Sequence, residues 1–221
     1  MDNAEQSSPV LPTLVGERVI LRLPVPGDVA ARIAIPRDPE ENRMYGGAGE
    51  PKVFTTADVE AGLAVLHQQD LTTARRFLIA AKVWPDGRPA DEPHGRYIGG
   101  IRLHGISPAD RHARLALGIF DRRFWSHGYG TEAIRLILRY GFEEMRLHRI
   151  DLFVLEYNFR AIHAYEKCGF TCEGRLRDNA FVDGVWYDDL IMAILEPEYR
   201  AQPWCAPEGQ QQPVWSALNQ R

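Results

Sequence analysis

The sequence predicts one α/β domain, built on a mixed, mostly antiparallel sheet flanked by helices. Two observations lead to this prediction. Apolar residues alternate along several short segments, as in strands, and recur at helical spacing along others. In chain order the segments form a strand, two helices and a meander of strands, and then continue as strand-helix-strand-helix-strand-strand. The length of 221 residues suits a single core of ordinary size with an arm at each end.

The amino-terminal part begins with an arm and continues into a strand and helices. Residues 1–16 show no sustained period and are predicted to be the N-terminal arm. Residues 18–23 alternate as the first strand, which two prolines end. An irregular helical stretch follows from Gly27, and a helix begins at the cap Thr55 and runs to about Gln69.

The central part predicts three neighbouring strands. Residues 77–83 and 97–103 both alternate, and the segment between them is rich in Pro, Gly and Asp, so we expect a hairpin with a long loop. Residues 113–119 form a third alternating run that ends at Asp121. These three runs therefore make a meander.

The carboxy-terminal part alternates helices and strands. The pattern predicts a helix over 132–145, a strand over 149–155, a helix over 158–168, and paired strands over 171–177 and 185–195. Asn158 is a good N-cap and Gly169 a good residue to end a helix. Residues 199–221 are predicted to be a C-terminal arm, in which Trp204 and Trp215 should be anchored because exposed tryptophans are uncommon.

Composition restricts the classes of partner. The chain has 26 Lys and Arg against 30 Asp and Glu, a net charge of −4, so we expect no nucleic-acid partner and a local site for any anion. No window of about 18 apolar residues predicts a membrane span, and we expect a cytoplasmic protein without a membrane partner. Three cysteines predict reduced thiols; Cys168 and Cys172 should pack in the core, and no histidine stands at zinc-ligand spacing from them.

A glycine loop before the helix over 132–145 is the first chemical motif. Gly128 and Gly130 allow close backbone approach, and the free N–H groups of the first helical turn face an anion such as a pyrophosphate. The alternative is a tight turn without a ligand. Neither nucleotide fingerprint matches, because no Gly-Lys-Ser/Thr follows and position 133 is Ala.

The second motif is Asn158-x-x-Ala-x-x-x-Tyr165-x-x-x-Gly169-Phe170, in which Asn158 and Tyr165 lie two helical turns apart on one side. With Gly128-Tyr-Gly-Thr-Glu-Ala133 before it, the chain resembles the GNAT superfamily of acetyl-CoA-dependent N-acetyltransferases. The similarity is strongest to the branch of RimJ and RimL ribosomal-protein N-terminal acetyltransferases. It is clearest over residues 113–195 and extends from Gly16 onward.

The resemblance implies a GNAT fold over residues 17–198, acetyl-CoA as cosubstrate and no metal. It also assigns site residues. Pantetheine would be bound by backbone groups of Ile119, Phe120 and Asp121 and by the side-chain amide of Asn158. The pyrophosphate would be bound by the N–H groups of the loop residues His127, Gly128, Tyr129, Gly130 and Thr131. Tyr165 would donate a hydrogen bond or proton to the departing thiolate, a role that suits a dry cleft. The alternative for Tyr165 is a helix tyrosine packed on the sheet.

The chain departs from the family pattern at several positions. Trp125 and Ser126 replace the residues that commonly begin the loop, and Phe153 stands where some relatives carry a catalytic Glu. The general base therefore stays open between Asp121, Glu132, His127 and water. Arg122, Arg123 and Arg160 are either ordinary solvated residues or contacts for the 3′-phosphate of CoA.

The resemblance implies transfer of an acetyl group to a primary amine by direct attack. The acceptor is either a protein N-terminus or a small-molecule amine, with its pocket formed by residues 30–71 and the final hairpin. The alternative from another class is a catalytically inactive acyl-CoA sensor, which Phe153 supports; a third is a structural partner without a ligand. The sequence does not decide the oligomeric state. Related enzymes often dimerise, so a homodimer stays one of the alternatives.

Overall fold

The structure is a computed structural model that describes residues 11–51, 53–90 and 92–205. The described residues form one eight-stranded sheet in the order β1-β2-β3-β4-β5-β6-β8-β7. The strands are β1 Leu14–Val15, β2 Val19–Arg22, β3 Ala74–Ala81, β4 Arg96–Ser107, β5 His112–Ile119, β6 Arg149–Leu155, β7 Thr171–Val182 and β8 Val185–Leu195. All neighbours pair antiparallel except β5 and β6, so the predicted fold class is confirmed.

Helices cover both faces of this sheet. They are α1 Asp28–Ala34, α2 Pro39–Met44, α3 Thr56–His67, α4 Tyr129–Arg139, α5 Phe159–Glu166 and α6 Glu196–Arg200. The chain after α4 packs on the face that presents Leu103 and Ile150, whose side chains border Gly141. The opposite face, which presents Gly100 and Arg102, lies against α3. None of the described helices is long and apolar enough to cross a membrane.

Local signals in the sequence account for the element ends. Thr55 caps α3, with its side chain and that of Asp58 forming reciprocal bonds to backbone N–H groups. Asn158 caps α5 through the Ala161 N–H, and Gly169 follows that helix at a φ of +95°. These boundaries were predicted from the capping residue types.

Three features differ from the sequence prediction. Strand β1 and the buried Leu11 belong to the sheet and core although residues 1–16 were predicted as an arm. The helix predicted over 132–145 is α4 followed by a π-helical segment, Tyr140–Glu144. Cys168 is buried as expected, but the prediction that Cys172 packs in the core is wrong: it lies near the start of edge strand β7 and is exposed.

Trp204 is anchored on the body of the domain, as predicted, whereas Trp215 lies outside the described residues. The Trp204 ring meets the buried Tyr199 ring edge-on at 5.5 Å between centroids, and the Arg135 guanidinium lies 5.3 Å above it. The first residues of the predicted C-terminal arm thus pack on the core at Tyr199.

Trp204→Ala should lower the free energy of unfolding by about 1–3 kcal/mol, since it removes a ring packed on a core tyrosine. Urea unfolding followed by circular dichroism measures the loss. Trp186 is a matched control: it is 57% exposed, so Trp186→Ala should cost less than about 1 kcal/mol. Equal losses in the two variants would contradict the anchoring of Trp204.

Candidate active site

A cleft opens where strands β5 and β6 part. Their parallel pairing is limited to His112–Arg114 of β5 against Arg149–Asp151 of β6. Beyond these residues the described chain adds no strand between them, and a cavity of about 690 Å³ is lined by both strands, α5 and the loop before α4. The predicted motifs are therefore brought together along one cleft, at the carboxyl ends of two parallel strands.

The glycine loop forms one end of the cleft. Gly128 is the N-cap of α4 and adopts a φ of +88°, a left-handed conformation that favours glycine. The first intrahelical bond of α4 runs from the Glu132 N–H to the Gly128 carbonyl at 3.0 Å, and no side chain caps the helix. The N–H groups of Tyr129, Gly130 and Thr131 precede this bond, so they are the donors that a helix N-terminus offers to an anion.

Neighbouring strands hold the loop in place. The Arg18 guanidinium donates to the His127 carbonyl at 2.9 Å, and the Glu132 carboxylate accepts from the Arg18 backbone N–H at 2.9 Å. The buried Tyr129 donates its hydroxyl hydrogen to the Val83 carbonyl at 2.8 Å. The loop is thus fixed to the start of β2 and the end of β3 without a ligand.

Strand β5 borders the cleft with backbone carbonyls that side chains already engage. The Tyr45 hydroxyl donates to the Leu117 carbonyl at 2.8 Å, and the Trp125 indole donates to the Ile119 carbonyl at 2.7 Å. The Phe120 N–H bonds to Ile98 rather than facing the cleft. Of the backbone groups assigned to pantetheine by resemblance, three are therefore used within the protein: the Ile119 carbonyl, the Phe120 N–H, and the Asp121 N–H, which bonds to the Ile98 carbonyl at 3.4 Å.

Asn158 lines the cleft, and its amide is also engaged within the protein. Its oxygen accepts from the Ala161 N–H at 3.2 Å and its nitrogen donates to the Met44 carbonyl at 3.2 Å. The side chain therefore ties the end of α2 to the start of α5. A ligand bond to this amide would have to share or displace the Met44 contact.

Tyr165 lies on the same helix, with its ring in the wall of the cleft. The residue is 5% exposed and its ring meets Phe170 at 5.6 Å between centroids. Its hydroxyl makes no hydrogen bond to another described residue, and burial raises the pKa of this phenol. A neutral, unengaged O–H group in the wall of the cleft can donate a proton or hydrogen bond to a leaving anion.

The three side chains considered as general bases lie away from the cleft lining. Asp121 is 1% exposed and accepts three hydrogen bonds from Arg123. Glu132 is bonded to the β2 backbone, and His127 is exposed in the loop. The carboxylate that does line the cleft is Asp189 on β8, which accepts from the Asn179 amide at 2.8 Å.

All three arginines near the mouth lie within ion-pair distance of an acid, and the contact of Arg160 is the longest. Arg122 pairs with Asp38 and Glu40, and Arg123 pairs with Asp121 at 2.6 Å. Arg160 lines the cleft, lies 3.6 Å above the Trp125 ring, and approaches Glu40 at 3.8 Å. Arg160 is thus the guanidinium of the three that faces the cleft.

Sequence reasoning did not name Tyr45, Leu117 or Asp189 among the site residues of the cleft, although Tyr45 and Asp189 lie in the two segments expected to form the acceptor pocket. Tyr45 follows α2 in an irregular stretch, where no periodicity marks a site. The role of Leu117 depends on its backbone carbonyl, which a pattern of side-chain types does not indicate. Asp189 could have been noticed because it follows Asp188 and stands directly before the apolar run, residues 190–195, that ends β8. Among the described residues, no group of His, Cys, Asp or Glu is arranged to hold a metal ion.

Comparison with known proteins gives consistent results. Residues 18–171 match the family model described as an acetyltransferase (GNAT) domain. The chain is 36% identical over 103 residues to "Probable N-acetyltransferase YjcK" of Bacillus subtilis (strain 168). It is 32% identical over 111 residues to the spermidine N(1)-acetyltransferase of Escherichia coli (strain K12). These alignments cover 47% and 50% of this chain, and 57% and 59% of the two relatives.

One solved structure extends the likeness to most of the fold. A spermidine N-acetyltransferase from Vibrio cholerae, in complex with CoA and spermine, superposes with a TM-score of 0.64 at 25% identity. The superposition covers 82% of this chain and 98% of that protein.

Proposed function

The chain belongs to the acetyltransferase (GNAT) domain family, and from that premise we propose that it transfers an acetyl group from acetyl-CoA to a primary amine. The observation that carries the proposal is the cleft itself. It joins an uncapped helix N-terminus at Gly128 to the buried, unengaged hydroxyl of Tyr165. Anion donors and a proton donor along one cleft suit a phosphate-bearing thioester.

The proposed binding mode follows the cleft. The N–H groups of His127 to Thr131, with the positive end of the α4 dipole, would hold the pyrophosphate. Pantetheine would lie along the edge of β5 near Ile119, Phe120 and Asp121, close to the Asn158 amide. Arg160 lines the same cleft and is the candidate for a further phosphate contact.

In the proposed reaction the amine nitrogen attacks the thioester carbonyl carbon directly, and the carbon–sulfur bond breaks. Tyr165 donates its proton or a hydrogen bond to the leaving thiolate, a charge that is costly in a dry cleft. The attacking amine loses its proton to water, directly or through Asp189, the carboxylate that lines the cleft; Asp121, Glu132 and His127 are absent from that lining. No covalent enzyme intermediate is required.

Acetyl transfer predicts release of free CoA thiol that depends on an amine. With a panel of protein N-terminal peptides, amino acids, aryl amines, amino sugars and polyamines, at least one member should release thiol faster than the amine-free control. Tight CoA binding without turnover on any amine would favour the sensor alternative. No CoA binding at all would contradict the proposed site.

We also propose a cytoplasmic location, which the three free cysteines support because reduced thiols are typical of that compartment. Residues 17–198 are the proposed extent of the transferase domain. A homodimer stays a prediction, and light scattering behind size-exclusion chromatography tests it.

A further inference from the structure

A second cavity of about 430 Å³ lies on the other side of β5, between the sheet and α3. Tyr45, Ala116 and Leu117 line both this cavity and the cleft. The two spaces therefore adjoin at the Leu117 carbonyl, to which Tyr45 donates its hydroxyl hydrogen. Tyr45 and this stretch of β5 form the wall shared by the two spaces. Burial and then the neighbouring Tyr165 raise the pKa of the Tyr45 hydroxyl, so this wall lies close to Tyr165.

The floor of this second cavity is open backbone. Gly100 of β4 and Gly118 of β5 are register partners, so two neighbouring positions on one face carry no side chain. A Cβ atom on Gly118 would lie 2.2 Å from the Tyr45 hydroxyl and 2.7 Å from the Phe120 ring. The missing side chain at position 118 therefore makes room for the Tyr45 hydroxyl and the Phe120 ring, whereas a Cβ atom on Gly100 would meet its nearest atoms at 3.7 and 3.8 Å, so Gly100 is the open part of the floor.

Two arginines stand in the next row of the same face. Arg76 of β3 and Arg102 of β4 are register partners and both line the cavity. Neither makes an ion pair with an acid of the described chain. His104, one row further on this face, has its pKa lowered by burial and then by Arg102, Arg114 and Arg76, and raised by Asp151, so the nearby arginines outweigh the acid at this place.

The remaining walls are aromatic and aliphatic. Arg32 of α1 lies 5.1 Å above the Phe54 ring and 5.2 Å above the Phe120 ring, and it also attracts Glu41. Helix α3 adds Val59 and Leu63 to the lining. Asp58 is the acid in the lining, and its carboxylate is engaged in the capping of α3. The lining thus carries three arginines against one carboxylate. Small apolar cavities with an excess of one charge favour amphipathic ligands of the opposite charge.

We infer that the second cavity binds the amine acceptor, and that this acceptor is a small amine with a flat apolar body and a carboxylate that Arg76 and Arg102 bind. The inference rests on the proposed acetyl transfer and adds the substrate class. A polyamine would bring several ammonium groups against guanidinium groups of the same sign. The chain should therefore differ in substrate class from its relatives named as spermidine acetyltransferases.

Matched acceptors test the charge requirement directly. Phenylalanine carries its amine beside the carboxylate, and para-(aminomethyl)benzoate carries it across the ring; each has a neutral carboxamide analogue. Free-thiol release should give a kcat/KM at least about ten-fold higher for one of the carboxylates than for its carboxamide, as charge-assisted pairing predicts. Spermidine should be the poorer substrate.

Variants of the two arginines test whether they bind the carboxylate of the acceptor. Arg76→Gln combined with Arg102→Gln should raise KM for the preferred carboxylate about ten-fold, while KM for its carboxamide and for acetyl-CoA stays unchanged. Arg139→Gln is the matched control, because Arg139 is an exposed arginine at the end of α4, outside both cavity linings. Calorimetry with the carboxylate in the presence of saturating CoA gives a binding readout that does not depend on turnover.

The outcomes separate this inference from the proposed function. The inference would be overturned if spermidine is turned over more efficiently than both carboxylates, or if each acid and its carboxamide react at equal rates. Either result would leave the proposed acetyl transfer intact. A second outcome is that calorimetry shows binding of the carboxylate, that the double variant weakens this binding, and that no amine is turned over. This outcome would support the ligand site in the second cavity and contradict the proposed acetyl transfer.

Discussion

Tyr165→Phe should lower the rate of acetyl transfer by about 10²–10⁴-fold, the usual effect of removing a positioned acid. The substitution removes the one oxygen that can donate to the leaving thiolate. Affinity for CoA should stay nearly unchanged, because the glycine loop at the other end of the cleft is untouched. Single-turnover transfer at saturating acetyl-CoA measures the chemical step apart from binding and product release.

The stability of this variant should also be preserved. The Tyr165 hydroxyl bonds to no described residue, so its loss leaves no buried partner unpaired. Tyr199→Phe is the matched control, since the Tyr199 hydroxyl donates to the Glu143 carboxylate at 2.6 Å. That variant should be less stable by about 1–2 kcal/mol and transfer acetyl normally per folded molecule. A Tyr165→Phe rate within about three-fold of the parent, far short of a general-acid effect, would contradict the assignment.

The pH dependence adds a second expectation for Tyr165. Because burial raises the pKa of its phenol above the usual value of about 10, the protonated, donating form persists at higher pH than in a free tyrosine. The rate should therefore show no loss from Tyr165 ionisation below pH 10. Deprotonation of the acceptor amine should instead make the rate rise with pH. A fall in rate between pH 8 and 10 would contradict the raised pKa.

Elements with strong local signals were predicted well. Strand β6 occupies residues 149–155 as predicted, because an alternating apolar run is bounded on both sides by polar residues. Helix α5 lies between the predicted cap Asn158 and the predicted terminator Gly169. Strand β1 was missed because its two residues are too few to show a period. Its place in the sheet depends on pairing with β2, which a local pattern does not encode.

The candidate site was predicted only where local motifs mark it. Motifs of fixed spacing identified the glycine loop and α5, which lie on the same cleft. The contact between Tyr45 and Leu117 joins residues 72 positions apart, and no periodicity brings them together. The base candidates were chosen by nearness in sequence, yet Asp121 is bonded to Arg123 and Glu132 to the β2 backbone. Side-chain direction, which decides access to the cleft, is a tertiary property.

Gly130→Val should weaken CoA binding by at least ten-fold, roughly 1.4 kcal/mol. Gly130 lines the cleft in the first turn of α4, and its φ lies outside the left-handed region, so valine can adopt this backbone. A Cβ here would meet Ile119 and Leu117 side chains at 3.8 Å, an ordinary contact, and the two further methyl groups would occupy space beside the free N–H groups. Gly128 is a poorer test, because its φ of +88° makes any substitution strained.

The design of this variant separates binding from folding. Valine in a helix costs less than glycine, so Gly130→Val should unfold at a temperature equal to or above that of the parent. Gly130→Ala is the graded control: it adds only the Cβ atom, and its CoA affinity should lie between those of the parent and the valine variant. Calorimetric titration with CoA measures all three. If the folded valine variant binds CoA as tightly as the parent, the pyrophosphate does not approach the first turn of α4. The anion site must then lie elsewhere along the cleft, where Arg160 and Lys167 are cationic residues of the lining.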